Sequence, residues 1–137
     1  MLSRVSSLAA EAASVVDGLL GLARTRLGAA LSENGKLSSA RIDAAQHAVH
    51  GLAWLATYAE TLKAMARYAA EQEAHGRFGE MERLITAILF GEYLAHVAGG
   101  IPMNQQEFIR LPELHITRAE AKRLEEGACL ELLEQAN

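Results

Sequence analysis

The side chains in this sequence with chemistry to offer are five histidines, one cysteine and a few aromatic rings, and their spacing limits what that chemistry can be. His47 and His50 stand three apart, which on a helix puts both rings on one face, within reach of a shared zinc ion. Such a site needs a third and usually a fourth ligand, and no residue presents itself at a recognisable spacing. Two solvent-facing or core-capping histidines are therefore the favoured reading. A di-iron centre in a helical bundle needs a glutamate three residues before a histidine on two helices. The residues in those places are Ala44, His47, Gln72, Tyr93 and Pro112, which argues against that class. Glu92 and His96, four apart, amount to a surface pair worth about 0.2–0.5 kcal/mol.

Nucleophilic catalysis has no better support. Cys129 and the serines lack a neighbouring base at a telling spacing, and the serines gather where helices begin, where capping explains them. Cys129 reads as a small buried hydrophobe. Trp54, Tyr58 and Tyr68 lie on one predicted helix, and packing in a core or against a partner is favoured over stacking on a flavin or an adenine. Gly99 and Gly100 follow a long apolar pattern and precede Pro102. This pair closes a helix instead of opening one and carries no Lys-Ser/Thr, so it is not a phosphate cradle. Two residues without a Cβ do let backbone or ligand approach closely, whereas a helix end needs one such residue in the left-handed conformation.

The elements that must position these residues are helices. Both prolines, Pro102 and Pro112, fall in the last third, leaving the first hundred residues free of the strongest helix breaker. Val5, Leu8, Ala12, Val15, Leu19, Leu22 and Ala23 recur at three and four and predict a first helix over 3–31. Asn34-Gly35 ends it; the same dipeptide marks β-hairpins, but neither flank alternates, so no strand is expected. A second helix is expected over 39–74, with Ile42, Ala45, Val49, Leu52, Ala56, Ala59, Leu62, Ala66 and Ala69 inward and Gly51 marking a kink or a close crossing. A third, over 80–98, is expected to pack Met81, Leu84, Ile85, Ile88, Leu89, Leu94 and Val97. Thr117 and Glu120 form a capping box, from which a fourth helix runs over 118–135.

These elements predict an all-α protein, an antiparallel up-and-down bundle of about four helices. The bundle is expected over 1–116, and 117–137 is expected as a C-terminal helix, more acidic than the others, that either packs on the bundle or serves as a linker to a following domain, the linker being favoured.

Composition sets the remaining bounds. The 137 residues are half apolar but only 5% aromatic, so the core must be built from Leu, Ala, Val and Ile. A net charge of −4 with both signs interspersed offers no basic face to a phosphate backbone, and nucleic acid is not expected as a partner. Charged residues interrupt the first helix, and no window of about 20 consecutive apolar residues is found, so no membrane segment or signal peptide is expected. A single cysteine forms no internal disulfide and fits a reducing cytoplasm.

The run HGRFGEMERLITAILFGEYLAHVAGG over 75–100 resembles the second inter-helix turn and third helix in the C-terminal helical domain of flavin-dependent acyl-CoA dehydrogenases. The segment GKLSSARIDAAQHAVHGLAWLATYAETL over 35–62, with AGGIPMNQQE after the third helix, is most similar to the helical N-terminal extension of bacterial enzymes of the methylsuccinyl-CoA dehydrogenase type. The resemblance covers residues 35–110. It implies an acyl-CoA dehydrogenase C-terminal-domain-like bundle, an accessory, vestigial domain of an FAD-dependent enzyme that oxidises an acyl-CoA. It also implies that Gly99 and Gly100 correspond to a flavin-contacting turn. The departures are informative. Pro102 and Met103 stand where the family has a glycine and an aromatic, and LPELHITRAEAK replaces the segment that carries a catalytic carboxylate. No catalytic residue, metal or cofactor of its own is therefore expected in this piece. Its expected partners are a second copy or a covalently following dehydrogenase core, and a free-standing helical dimerisation module is the alternative.

Overall fold

The computed structural model describes residues 4–135; the expected start of the first helix at residue 3 lies outside them. Six α-helices and four two-residue strands follow in the order α1 (Val5–Ala30), β1 (Ser32–Glu33), β2 (Lys36–Leu37), α2 (Ser39–Ala44), α3 (Gln46–Ala74), α4 (Glu80–Gly99), β3 (Ile101–Pro102), β4 (Phe108–Ile109), α5 (Arg118–Ala121) and α6 (Gly127–Gln135). Tight helical turns at Leu111–Leu114 and Lys122–Glu125 fill the C-terminal third. The mostly helical expectation holds.

Two corrections concern the connections. Asn34-Gly35 does form a hairpin: β1 pairs antiparallel with β2, Ser32 opposite Leu37 and Glu33 opposite Lys36. Asn34 and Gly35 take φ of 52° and 77°, the two positive values of a type I′ turn. So short a ribbon needs only the turn, not alternating flanks. A second ribbon pairs Ile101 with Ile109 and Pro102 with Phe108, its loop tied by Asn104 Oδ1, which accepts from the amides of Gln106 and Glu107.

The expected second helix breaks at Ala45, where φ −118° and ψ 33° separate α2 from α3, and not at Gly51. Gly51 instead marks a close approach. A Cβ there would overlap Ile109 Cγ1, so the missing side chain is what lets β4 lie on α3. The expected C-terminal helix is also interrupted. The Thr117–Glu120 capping box forms as expected, Thr117 Oγ1 accepting from the Glu120 amide and the Glu120 carboxylate from the Thr117 amide. α5 ends at Ala121 and tightens into the turn Lys122–Glu125, Glu126 is extended, and Gly127 at φ 52° starts α6.

α1 sits at the centre, packed against α3, α4 and α6. Its buried residues, Leu8, Ala9, Ala12, Ala13, Val16, Leu19, Leu20, Ala23 and Leu27 among them, cover more of its circumference than one stripe, which is why Val16 and Leu20 are buried and Val15 only partly. The Asp17–Lys63 pair, at 3.0 Å, and the burial of Val5 with Ala69 in one cluster show α1 and α3 antiparallel. Tyr58–Tyr93 and Met65–Thr86 show the same for α3 and α4. By length and mean hydropathy α1 could cross a membrane, although charged residues interrupt it as expected; half of the stretch is buried within the fold.

α4 departs furthest from expectation. The core receives Thr86, Ala87, Phe90, Gly91, Leu94 and Val97, whereas Met81, Leu84, Ile85 and Ile88, expected inside, are 65, 40, 49 and 56% exposed. At about 100° per residue the two sets lie on opposite faces. α4 is apolar on both, and the face bearing Phe90 took the core.

Arg26 fastens the C-terminal third to α1. Its guanidinium donates to both carboxylate oxygens of Glu120 at 2.6 Å and to the carbonyl of His115 at 2.8 Å. The Arg26 bonds to the carboxylate, with the Thr117 amide, hold the Glu120 carboxyl down at about 2 against an ordinary 4.5. A carboxylate whose pKa is depressed by folding stabilises the fold above its unfolded value and loses that contribution as pH falls through the folded one. Thermal melts should therefore show stability falling from about pH 4.5 towards 2, with a shallower fall in Glu120→Gln. Gly51→Ala should cost about 1–3 kcal/mol in urea unfolding because Ile109 must move. Gly21→Ala, in open space within α1, should gain about 0.5–1 kcal/mol.

Candidate functional site

The residues with chemistry to offer collect along α3 and the C-terminal half of α4. On α3, Trp54 Nε1 donates to His50 Nε2 at 3.0 Å, one helical turn back. The next turn brings Tyr58, whose ring lies 6.5 Å from Trp54 and 4.5 Å from Tyr93 of α4. Tyr58 Oη and His96 Nδ1 share a hydrogen bond of 2.8 Å. The rings thus form a ladder across the α3/α4 seam. Burial raises the Tyr58 phenol above its ordinary value, with Tyr93 adding to the shift, so the hydroxyl keeps its proton near neutrality. The packing reading of Trp54 and Tyr58 holds, while Tyr68 is 41% exposed.

The histidine pair separates into different tasks. His47 Nε2 lies 3.2 Å from Glu113 Oε1, and the other Glu113 oxygen accepts from the Arg110 amide at 2.8 Å. His47 therefore links α3 to the turn that follows β4, while His50 holds Trp54. Among the described residues no group of three or more metal-ligating side chains converges. The Glu92–His96 pair does not form; His96 bonds across to Tyr58. Cys129 is buried, and desolvation pushes its thiol up to about 11, which leaves it protonated and unreactive.

The Gly99–Gly100 turn stands at the end of this seam. Gly99 is the last residue of α4, and a Cβ on it would meet open space. Gly100 donates to the His96 carbonyl at 2.8 Å and takes φ 138° and ψ 123°. This differs from the left-handed cap expected of one glycine. Its φ is positive but its ψ extended, so the chain leaves the helix directly into β3. The chain's own β4 and the residue after it lie beside it, Phe108 Cβ at 3.7 Å and Arg110 Cγ at 3.5 Å from where a Gly100 Cβ would be. Beside the turn, Arg110, Arg118, Lys122 and Glu125 line a groove of about 400 Å³. Its side chains are of both signs and open to solvent.

The feature sequence reasoning misplaced is the outer face of α4. Its signal was present, since the helix carries more apolar residues than one stripe needs, but periodicity could not say which face would turn inward.

These observations define a mostly helical domain in which His47, His50, His96 and Tyr58 are engaged by neighbouring side chains and one apolar helix face is left uncovered. No protein-family profile matches the chain. Over 116 residues, 85% of its length, the chain is 45% identical to the (2S)-methylsuccinyl-CoA dehydrogenase of Cereibacter sphaeroides. The resemblance to an acyl-CoA dehydrogenase read from residues 35–110 is thereby borne out. The chain spans about a fifth of that relative's length, 21%.

The two glycines should respond differently to substitution. Gly100→Ala forces an L side chain into a backbone conformation it rarely adopts and should cost about 1–3 kcal/mol. Gly99→Ala, helical and unobstructed, should stay within about 0.5 kcal/mol of the parent. Chemical denaturation of both variants checks this.

Proposed function

We propose that this chain is an accessory helical domain of an FAD-dependent acyl-CoA dehydrogenase, vestigial in the sense that it contributes packing and assembly and no chemistry. The whole protein would oxidise an acyl-CoA thioester in the cytoplasm. The observation that carries the reading is the 45% identity over 85% of the chain to part of a (2S)-methylsuccinyl-CoA dehydrogenase. The engagement of His47 by Glu113, His50 by Trp54 and His96 by Tyr58 agrees with it, because groups so engaged are not free to act on a substrate. In this reading Gly99 and Gly100 end α4 and seat the β3–β4 ribbon, and any contact of that turn with FAD belongs to the whole protein. The uncovered face of α4 favours an assembly role, whether against a dehydrogenase core that follows in the same polypeptide or against a second copy. It equally supports the second reading, a free-standing helical dimerisation module.

The purified 137-residue chain should be colourless and should reduce no electron acceptor with any acyl-CoA. The polypeptide encoded by the complete gene should bind one flavin per chain and oxidise an acyl-CoA. A yellow 137-residue chain would overturn the accessory reading. A complete gene with no dehydrogenase core would favour the free-standing module.

A further inference from the structure

Met81, Leu84, Ile85 and Ile88 form an uncovered stripe with the i, i+3, i+4, i+7 spacing of a helix-pairing seam, and all four are exposed. Extended one turn towards the C-terminus, the stripe reaches Glu92, which lies in line with Met81 and Ile88 at about 100° per residue. Just before the other end of the stripe, the non-helical turn 77–79 carries the exposed Arg77. Neither Arg77 nor Glu92 is in an ion pair among the described residues. The stripe is therefore apolar in the middle, positive at its N-terminal end and negative at its C-terminal end.

That pattern is self-complementary when reversed. We propose that α4 pairs antiparallel with α4 of a second copy of this chain about a two-fold axis between Leu84 and Ile85. In this register Met81 lies against the second copy's Ile88, Leu84 against its Ile85, and Arg77 beside its Glu92, each contact occurring twice, as an isologous interface requires. Moving the axis half a turn towards the C-terminus sets Met81 against Glu92, and moving it the other way carries Ile88 beyond the N-terminal end of the second copy's α4, which begins at Glu80. Only the central register matches apolar with apolar and charge with charge. Glu92 also comes to the positive end of the neighbouring helix dipole. Glu80, about 100° round the helix from Met81, stays outside the seam. Four apolar residues per copy put the contact at the low end of the size range for specific association, so the dimer is weak and its population depends on concentration.

This deepens the assembly reading, and its failure is separable from failure of that reading: a monomeric chain sinks the pairing and leaves the likeness to a dehydrogenase untouched. Sedimentation equilibrium of the 137-residue chain over a wide concentration range should show a monomer–dimer equilibrium. Arg77→Glu and Glu92→Arg should each weaken it roughly three- to tenfold, and the double variant should return close to the parent because both ion pairs re-form with reversed sign. Ile88→Asp, at an exposed position, should weaken dimerisation more than tenfold while its circular-dichroism melt stays near the parent's. A chain monomeric throughout, a closed assembly larger than a dimer, or a double charge reversal no tighter than either single one would each overturn the proposal.

Discussion

Close approach of α1 and α3 is the constraint on which the rest of the molecule depends. Ala9, Ala12, Ala13 and Ala23 on α1 are nearly without solvent exposure, as are Ala59 and Ala69 on α3. Small side chains on facing helices let the backbones come near, so the leucines between them, Leu8, Leu19, Leu55 and Leu62, interdigitate at core density. Larger residues at those alanines would widen the seam and leave the leucines with gaps, each of which forfeits dispersion contacts. The edge of the seam is held in register by Lys63, whose ammonium lies 3.0 Å from Asp17 and 2.6 Å from Glu60.

With α1 and α3 set, the remaining elements have few places to go. The short turn after α3 returns α4 antiparallel, and Phe78 in that turn is buried with Val5, Ala69 and Ala87. The C-terminal third crosses back over α1 and α4, where Arg26 engages Glu120 and the buried Leu124, Cys129 and Leu132 join the main core. The β3–β4 ribbon lies on α3 at the one place where a glycine admits it. The same packing brings together the pairs Arg26–Glu120, Asp17–Lys63, His47–Glu113 and Tyr58–His96. The α3/α4 ring ladder is therefore best understood as a seam of oriented aromatic contacts, and the surface left unsatisfied is apolar.

Much of this was legible in the residues. Helix positions followed from the absence of proline in the first hundred residues and from apolar recurrence at three and four. The Thr117–Glu120 capping box followed from two residues at fixed spacing, and the likeness to an acyl-CoA dehydrogenase from a helix ending in Gly99-Gly100. All of these are local properties, set by interactions within a few residues of one another or visible as a contiguous string. The Asn34-Gly35 hairpin was local too, and was missed because its strands are too short to carry an alternating pattern.

Tertiary structure decided what depends on competition between distant groups. The break at Ala45 has no glycine or proline to announce it, and Gly51 acquired its meaning from Ile109, 58 positions further along the chain. His96 turned to Tyr58 because α3 lay beside α4, although Glu92 was nearer in sequence. The orientation of α4 is the clearest instance. A helix apolar on two opposite faces has no preferred phase of its own, so its sequence determined that both faces could be buried. Only the shape of the groove left by α1, α3 and α6 decided that Phe90, Leu94 and Val97 would fill it and that Met81, Ile85 and Ile88 would face outward.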